Sequence, residues 1–106
     1  MRALAILALL AGPAGADPYQ PAPGLYCPEG ADVPAIVVGP APGEVGIDLM
    51  ECHGARISGG RVTASRCYGN GGRPVPYEAE LSLLPSGVLL HDGVRYRRRP
   101  SGGPCP

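Results

Sequence analysis

The chain has 106 residues, with nine arginines and no lysine against nine acidic residues, so its formal net charge at pH 7 is zero. It has no Trp or Phe and only five Tyr, which excludes a large hydrophobic core and leaves a small domain marginally stable without further support. Basic residues that are all arginine are typical of a GC-rich bacterial genome and are not evidence of nucleic-acid binding.

Residues 1–16 have the pattern of a secretory signal peptide. Arg2 precedes the apolar run 3–11, and Ala14-Gly15-Ala16 supplies a small-residue cleavage site. A membrane-spanning helix needs about 20 apolar residues, and this run is much shorter. We therefore expect cleavage after Ala16, no transmembrane segment in the mature chain, and a soluble periplasmic or secreted product.

The spacing of Gly and Pro indicates the fold class. Of the 90 residues that follow the predicted cleavage site, 28 are Gly or Pro, and the longest stretches free of both, 61–68 and 77–84, have eight residues each. An average helix needs about 11–12 residues. The sequence therefore predicts an all-β chain.

A Pro-rich flexible leader is predicted over residues 17–24, and a single β domain over residues 25–106. In this domain, turn residues such as Gly59-Gly60 and Asp92-Gly93 separate short apolar or alternating segments. The predicted strands lie at 34–39, 47–53, 61–68, 77–84, 88–91 and 94–99. About six short strands joined by short turns predict a small antiparallel meander, either a curled sheet or a small barrel.

Cys52 and Cys67 flank the predicted hairpin turn at Gly59-Gly60. Partners across this hairpin have residue numbers that sum to 119, as these two do. Directly opposed residues have Cα atoms about 4.5–5.5 Å apart, which a disulfide can bridge. The same register places apolar residues opposite each other, namely Ile57 with Val62 and Ala55 with Ala64. A bulge at Gly54 would shift this register.

The remaining cysteines, Cys27 and Cys105, are predicted to form a second disulfide that joins the start of the domain to its end. With an even number of cysteines in an exported protein, we expect no free thiol and hence no catalytic Cys-His pair. The cysteines are at least 15 residues apart and strand neighbours such as Cys52 and His53 point to opposite faces, so we expect no metal site and no cofactor. His91, next to Asp92, is expected to be an ordinary hairpin residue.

Arg95, Arg97 and Arg99 lie at alternate positions of the last predicted strand and should share one face, about 7 Å apart. This face is a candidate anion-binding stripe. The favoured interpretation is, however, an edge strand whose charges prevent sheet aggregation and pair with Glu78 and Glu80. Charge is also divided along the chain, because residues 17–51 carry six acids and no base, whereas residues 52–106 carry eight arginines and three acids.

The sequence favours a binding protein over an enzyme. Glu78 and Glu80 have a spacing compatible with acid–base catalysis, but alternating Glu residues are ordinary on an exposed strand face. We expect a monomeric, non-enzymatic interaction protein whose partner is an unidentified protein or envelope component. An envelope-associated polyanion binder that uses the arginine stripe is the alternative, and a small hydrolase is a third, less favoured one.

Overall fold

A computed structural model describes residues 20–99 and 104–106, so the predicted signal peptide and residues 17–19 lie outside the described residues. The described part is all-β, as predicted, and none of its segments is a helix that could cross a membrane. Its ten strands are β1 (Gly24–Pro28), β2 (Ile36–Val38), β3 (Val45–Ile47), β4 (Met50–His53), β5 (Arg56–Ser58), β6 (Arg61–Tyr68), β7 (Pro74–Glu80), β8 (Ser82–Leu83), β9 (Leu89–His91) and β10 (Val94–Arg99).

The strands form one antiparallel sheet in the order β8-β9-β10-β1-β2-β3-β4-β6-β5, with β7 paired to the other side of β6. The strands β7 and β8 are two parts of one segment, separated only by Leu81. This segment pairs with β6 through its first part and with β9 through its second part. The two ends of the sheet are thereby joined, and the sheet is nearly closed into a small barrel, which is one of the two predicted architectures.

The core lies on the inner face of this sheet and is built from small and medium side chains. Val62 and Ala64 alternate with exposed residues along β6, and Cys67 is buried beyond an irregularity that lies between Ala64 and Cys67. The side chains with less than 2% exposure are Tyr26, Ile36, Ile47, Leu81, Leu89, His91, Val62, Cys52 and Cys67. A disulfide and a histidine therefore contribute to an interior that has few large aromatic rings.

Both predicted disulfides are confirmed. Cys52 is bonded to Cys67 with their Cα atoms 4.0 Å apart, and Cys27 is bonded to Cys105 with their Cα atoms 5.6 Å apart. Cys52 lies opposite Cys67, and Ile57 lies opposite Val62, in the predicted register. Gly54, with φ of 70°, separates β4 from β5 but does not shift the register between them.

The predicted number of strands was too low. The segment 47–53, predicted as one strand, is a hairpin in which Asp48 and Leu49 form a two-residue turn between β3 and β4. Both turn residues have positive φ, 51° and 64°, a conformation that is rare for leucine. The turn was missed because it contains neither Gly nor Asn, the residues that usually mark a turn of this kind. The first strand of this hairpin, β3, begins at Val45, two residues before the predicted strand.

Residues 20–23 contact the barrel. The Tyr26 hydroxyl donates a hydrogen bond to the carbonyl of Ala22 at 2.6 Å, and Arg98 Nε donates to the carbonyl of Pro23 at 2.8 Å. The side chain of Pro21 is buried. The last part of the Pro-rich leader is therefore packed against the domain, and β1 begins at Gly24.

Candidate functional site

Two hairpin turns meet at one end of the barrel and bring three potential ligands together. Asp48 is the first residue of the β3–β4 turn, and Asp92 is the first residue of the β9–β10 turn, with φ values of 51° and 50°. His91 is the last residue of β9. One ligand atom from each of these three side chains lies within 4.8 Å of the other two.

His91 is held in a fixed orientation. Its side chain is 2% exposed, and its Nδ1 lies 2.6 Å from the carbonyl oxygen of Glu80. Because a carbonyl can only accept, Nδ1 carries a hydrogen and donates it. Nε2 then faces both carboxylate oxygens of Asp48 at 3.2 Å and Oδ2 of Asp92 at 3.5 Å.

The surroundings of His91 change its basicity. Burial lowers the pKa of His91, but the hydrogen bonds to Glu80 and Asp48 and the charges of Asp48 and Asp92 outweigh burial and raise the pKa above its ordinary value of 6.5. The Nε2 position is therefore favourable for a cation, either a proton or a metal ion.

Tyr77 completes the cluster. Its hydroxyl donates a hydrogen bond to Oδ2 of Asp48. Burial raises the pKa of Tyr77, and so do the hydrogen bond to Asp48 and the nearby carboxylate charges. The phenol therefore stays protonated and acts as a hydrogen-bond donor that orients the Asp48 carboxylate.

This cluster was not predicted from the sequence. The turn at Asp92-Gly93 was predicted, but His91 was expected to be an ordinary hairpin residue. His91 is also separated from Asp48 by 43 residues. No local pattern marks Asp48 as a turn residue. Only the pairing of the strands places the two turns side by side.

A groove lies on the outer face of the sheet where β3 has a glycine. Gly46 stands between Val37 on β2 and Glu51 on β4, and Glu51 lies opposite Tyr68 on β6. Because Gly46 has no side chain, this cross-strand row contains a depression of about 510 Å³. We call it the Gly46 groove and define it by Val37, Gly46, Leu49, Glu51, His53 and Tyr68.

Apolar and aromatic side chains form part of the walls of the Gly46 groove. Val37 is 47% exposed and Leu49 is 82% exposed. The rings of His53 and Tyr68 are in edge-to-face contact, with centroids 5.9 Å apart. His53 is thus a wall residue of this groove, on the face opposite to its neighbour Cys52, which is in a disulfide.

The predicted arginine stripe lies on an interior strand. β10 pairs with β9 on one side and β1 on the other, so the interpretation as an edge strand is wrong. Arg95 is exposed, whereas Arg97 forms an ion pair with Glu29 at 2.6 Å. Arg99 is half-buried, and its Nε has no hydrogen-bond partner within the described part of the chain. The three residues therefore differ in their surroundings.

Glu78 and Glu80 lie exposed on β7, away from β10. Glu78 forms an ion pair with Arg61 at 2.8 Å, and Glu80 lies opposite Arg61 in the strand register. The expected pairing of these acids with the last strand is thus replaced by a pairing with β6. Arg61 therefore pairs with one of the two residues that the sequence offered as candidate acid–base residues.

No protein-family model, curated protein or solved structure matches this chain. The geometry of the described residues is therefore the basis for the functional proposal.

Proposed function

We propose that this protein is a small, exported, non-enzymatic binding protein. Its Gly46 groove binds an extended segment of a partner protein that carries both basic and apolar side chains. The observation that supports this proposal most directly is Leu49, because it exposes a large apolar side chain at the mouth of the groove.

The conformation and exposure of Leu49 are both unfavourable for the stability of the folded protein. Its side chain is 82% exposed, and its backbone has φ of 64°. A left-handed conformation costs an L-residue roughly 1–2 kcal/mol, and an exposed leucine recovers little by burial. Residues with strained backbone conformations cluster at functional sites, which supports a role for Leu49 in recognition.

The charge around the groove indicates the chemistry of the partner. Glu51 belongs to the groove, and Glu44 lies at its edge. The aromatic faces of Tyr68 and His53 offer a surface on which an arginine side chain of a partner could stack. A basic segment with alternating apolar residues would match both the acidic edge and the apolar walls.

The two disulfides support an extracytoplasmic location, because such bonds persist in oxidising compartments. All four cysteines are bonded. Intact-mass measurement of the exported protein tests the location directly. We expect a product that begins at Asp17, and a mature product that retains Arg2 would contradict it.

A peptide titration followed by NMR tests the groove. The ¹⁵N-labelled exported protein is titrated with a synthetic peptide of alternating Arg and Val, and with a matched peptide in which Glu replaces Arg. We expect only the basic peptide to change the amide shifts of Gly46, Glu51 and Tyr68. The valine side chain in Gly46→Val would fill the groove, because a Cβ at this position is 3.6 Å from that of Val37, an ordinary contact.

We expect Gly46→Val to weaken binding of the basic peptide by at least about tenfold, or about 1.4 kcal/mol, and to leave the fold intact. Thr63→Val is the matched control, because it adds a similar apolar side chain at an exposed position of β6, outside the groove. Equal binding by wild type and Gly46→Val would contradict the proposal. Binding of only the acidic peptide, with shifts at Arg95 and Arg97, would instead support a polyanion binder.

A further inference from the structure

We propose that His91, Asp48 and Asp92 form a binding site for one divalent transition-metal ion of the zinc class. His91 would bind through Nε2, and each aspartate through one carboxylate oxygen. The site is separate from the Gly46 groove, and nothing in its argument depends on partner binding.

The two distances from His91 Nε2 to the aspartate oxygens fit such an ion. Zinc binds imidazole nitrogen and carboxylate oxygen at about 2.0–2.2 Å, so ligand atoms in a tetrahedral site lie about 3.3–3.6 Å apart. Nε2 of His91 lies 3.2 Å from Oδ1 of Asp48 and 3.5 Å from Oδ2 of Asp92. The side chain of Asp92 is 67% exposed, so it is free to adjust to the ion, and a fourth position would be open to water.

The ring of the buried His91 directs Nε2 toward the space between the two aspartates. Nδ1 donates its hydrogen to Glu80, so the lone pair of a neutral imidazole is on Nε2. That lone pair faces only carboxylate oxygens, which are also acceptors. Either a proton or a metal ion on Nε2 would satisfy both the imidazole and the carboxylates.

Hydrogen bonds around the three ligands match those that orient ligands in metal sites. A metal-binding histidine almost always donates its other N–H to a carbonyl or carboxylate, as His91 does to Glu80. The Tyr77 hydroxyl occupies Oδ2 of Asp48 and leaves Oδ1 for the metal. A set of one imidazole and two carboxylates favours zinc-like ions over calcium or magnesium, which bind all-oxygen sites.

Cobalt(II) is a suitable probe, because tetrahedral Co²⁺ with nitrogen and oxygen ligands absorbs strongly in the visible range. The exported protein, stripped with EDTA and with both disulfides intact, is titrated with Co²⁺ and then with Zn²⁺. We expect one equivalent of Co²⁺ to bind and one equivalent of Zn²⁺ to displace it. Asp92→Asn and Asp48→Asn should abolish this binding, and both should fold, because asparagine tolerates the left-handed turn positions.

Two further variants separate ligands from their surroundings. Tyr77→Phe should weaken the metal affinity by about tenfold or more, because it removes a hydrogen bond that orients a ligand. His53→Gln should bind like wild type, because His53 lies in the Gly46 groove. No Co²⁺ binding by wild type, or binding that survives both aspartate changes or is lost in His53→Gln, would overturn the proposal. The cluster would then be a proton-bridged ion pair.

Discussion

Tyr26 links the Pro-rich segment to the barrel. Its ring is 1% exposed within the core, and its hydroxyl donates to the carbonyl of Ala22. Burial raises the pKa of Tyr26 above its ordinary value of 10, although the charge of Arg98 and the hydrogen bond to Ala22 lower it in part. The folded state therefore favours the neutral phenol.

Tyr26→Phe should lower the free energy of unfolding by about 1 kcal/mol at neutral pH, because one hydrogen bond is lost. In the wild type, the stability that comes from the raised pKa is present below about pH 10 and decreases as the pH rises through the folded-state pKa. Urea unfolding from about pH 9 to about pH 11 should show a weaker alkaline decline in Tyr26→Phe. An identical decline in both proteins would contradict this account.

The hairpin turn between β3 and β4 combines strain with exposure. Asp48 can adopt a positive φ at moderate cost, whereas Leu49 cannot. Asp-Gly is among the preferred sequences for a two-residue turn of this kind. The leucine therefore lowers stability relative to a glycine at this position.

Leu49→Gly should raise the free energy of unfolding by about 1 kcal/mol, because glycine adopts the left-handed conformation without strain. The same change should weaken binding of the basic peptide, because it removes a wall of the Gly46 groove. Leu49→Ala is the control, since it removes the side chain but keeps the strain, so it should weaken binding without raising stability. A less stable Leu49→Gly protein with unchanged peptide binding would contradict both expectations.

Local turns could be predicted from the sequence, whereas turns and contacts that depend on distant residues could not. The hairpin at Gly59-Gly60 is formed by residues that are close in sequence, and two glycines mark its turn. The register of its strands, and with it the disulfide between Cys52 and Cys67, could therefore be predicted. The turn at Asp48 depends on how β3 and β4 pack, and the burial of His91 depends on contacts with Glu80 and Asp48, which are distant in sequence. Long-range contacts of this kind leave no periodic pattern in a single sequence.

The two disulfides should stabilise the protein by different amounts. In the chain-entropy model, a separation of 15 residues corresponds to about 3 kcal/mol and one of 78 residues to about 4.5 kcal/mol. We expect the double variants Cys52→Ala/Cys67→Ala and Cys27→Ala/Cys105→Ala each to lose at least about 3 kcal/mol in guanidinium unfolding. The first also loses core contacts, because both its cysteines are fully buried. A loss below about 1 kcal/mol in either variant would contradict this account.

Closure of the sheet depends on one segment. The strands β7 and β8 connect β6 to β9, and Leu81 lies between them. Leu81 is fully buried, and its backbone N–H donates to the carbonyl of Gly60 at 3.0 Å. The same segment carries Tyr77 and Glu80, which hold the His91 cluster, so closure of the sheet and formation of the candidate metal site are coupled.

Leu81→Ala should therefore destabilise the whole barrel. Truncation of a buried leucine costs about 2–5 kcal/mol. The small core has few large side chains that could move into the resulting cavity. Hydrogen exchange should show faster exchange of amides in both β6 and β9, because Leu81 joins the two ends of the sheet. Leu83→Ala is the control, since Leu83 is only half-buried and should cost less. If Leu81→Ala changed exchange only within β7 and β8, the segment would be a local attachment, and the sheet would hold its curvature without it.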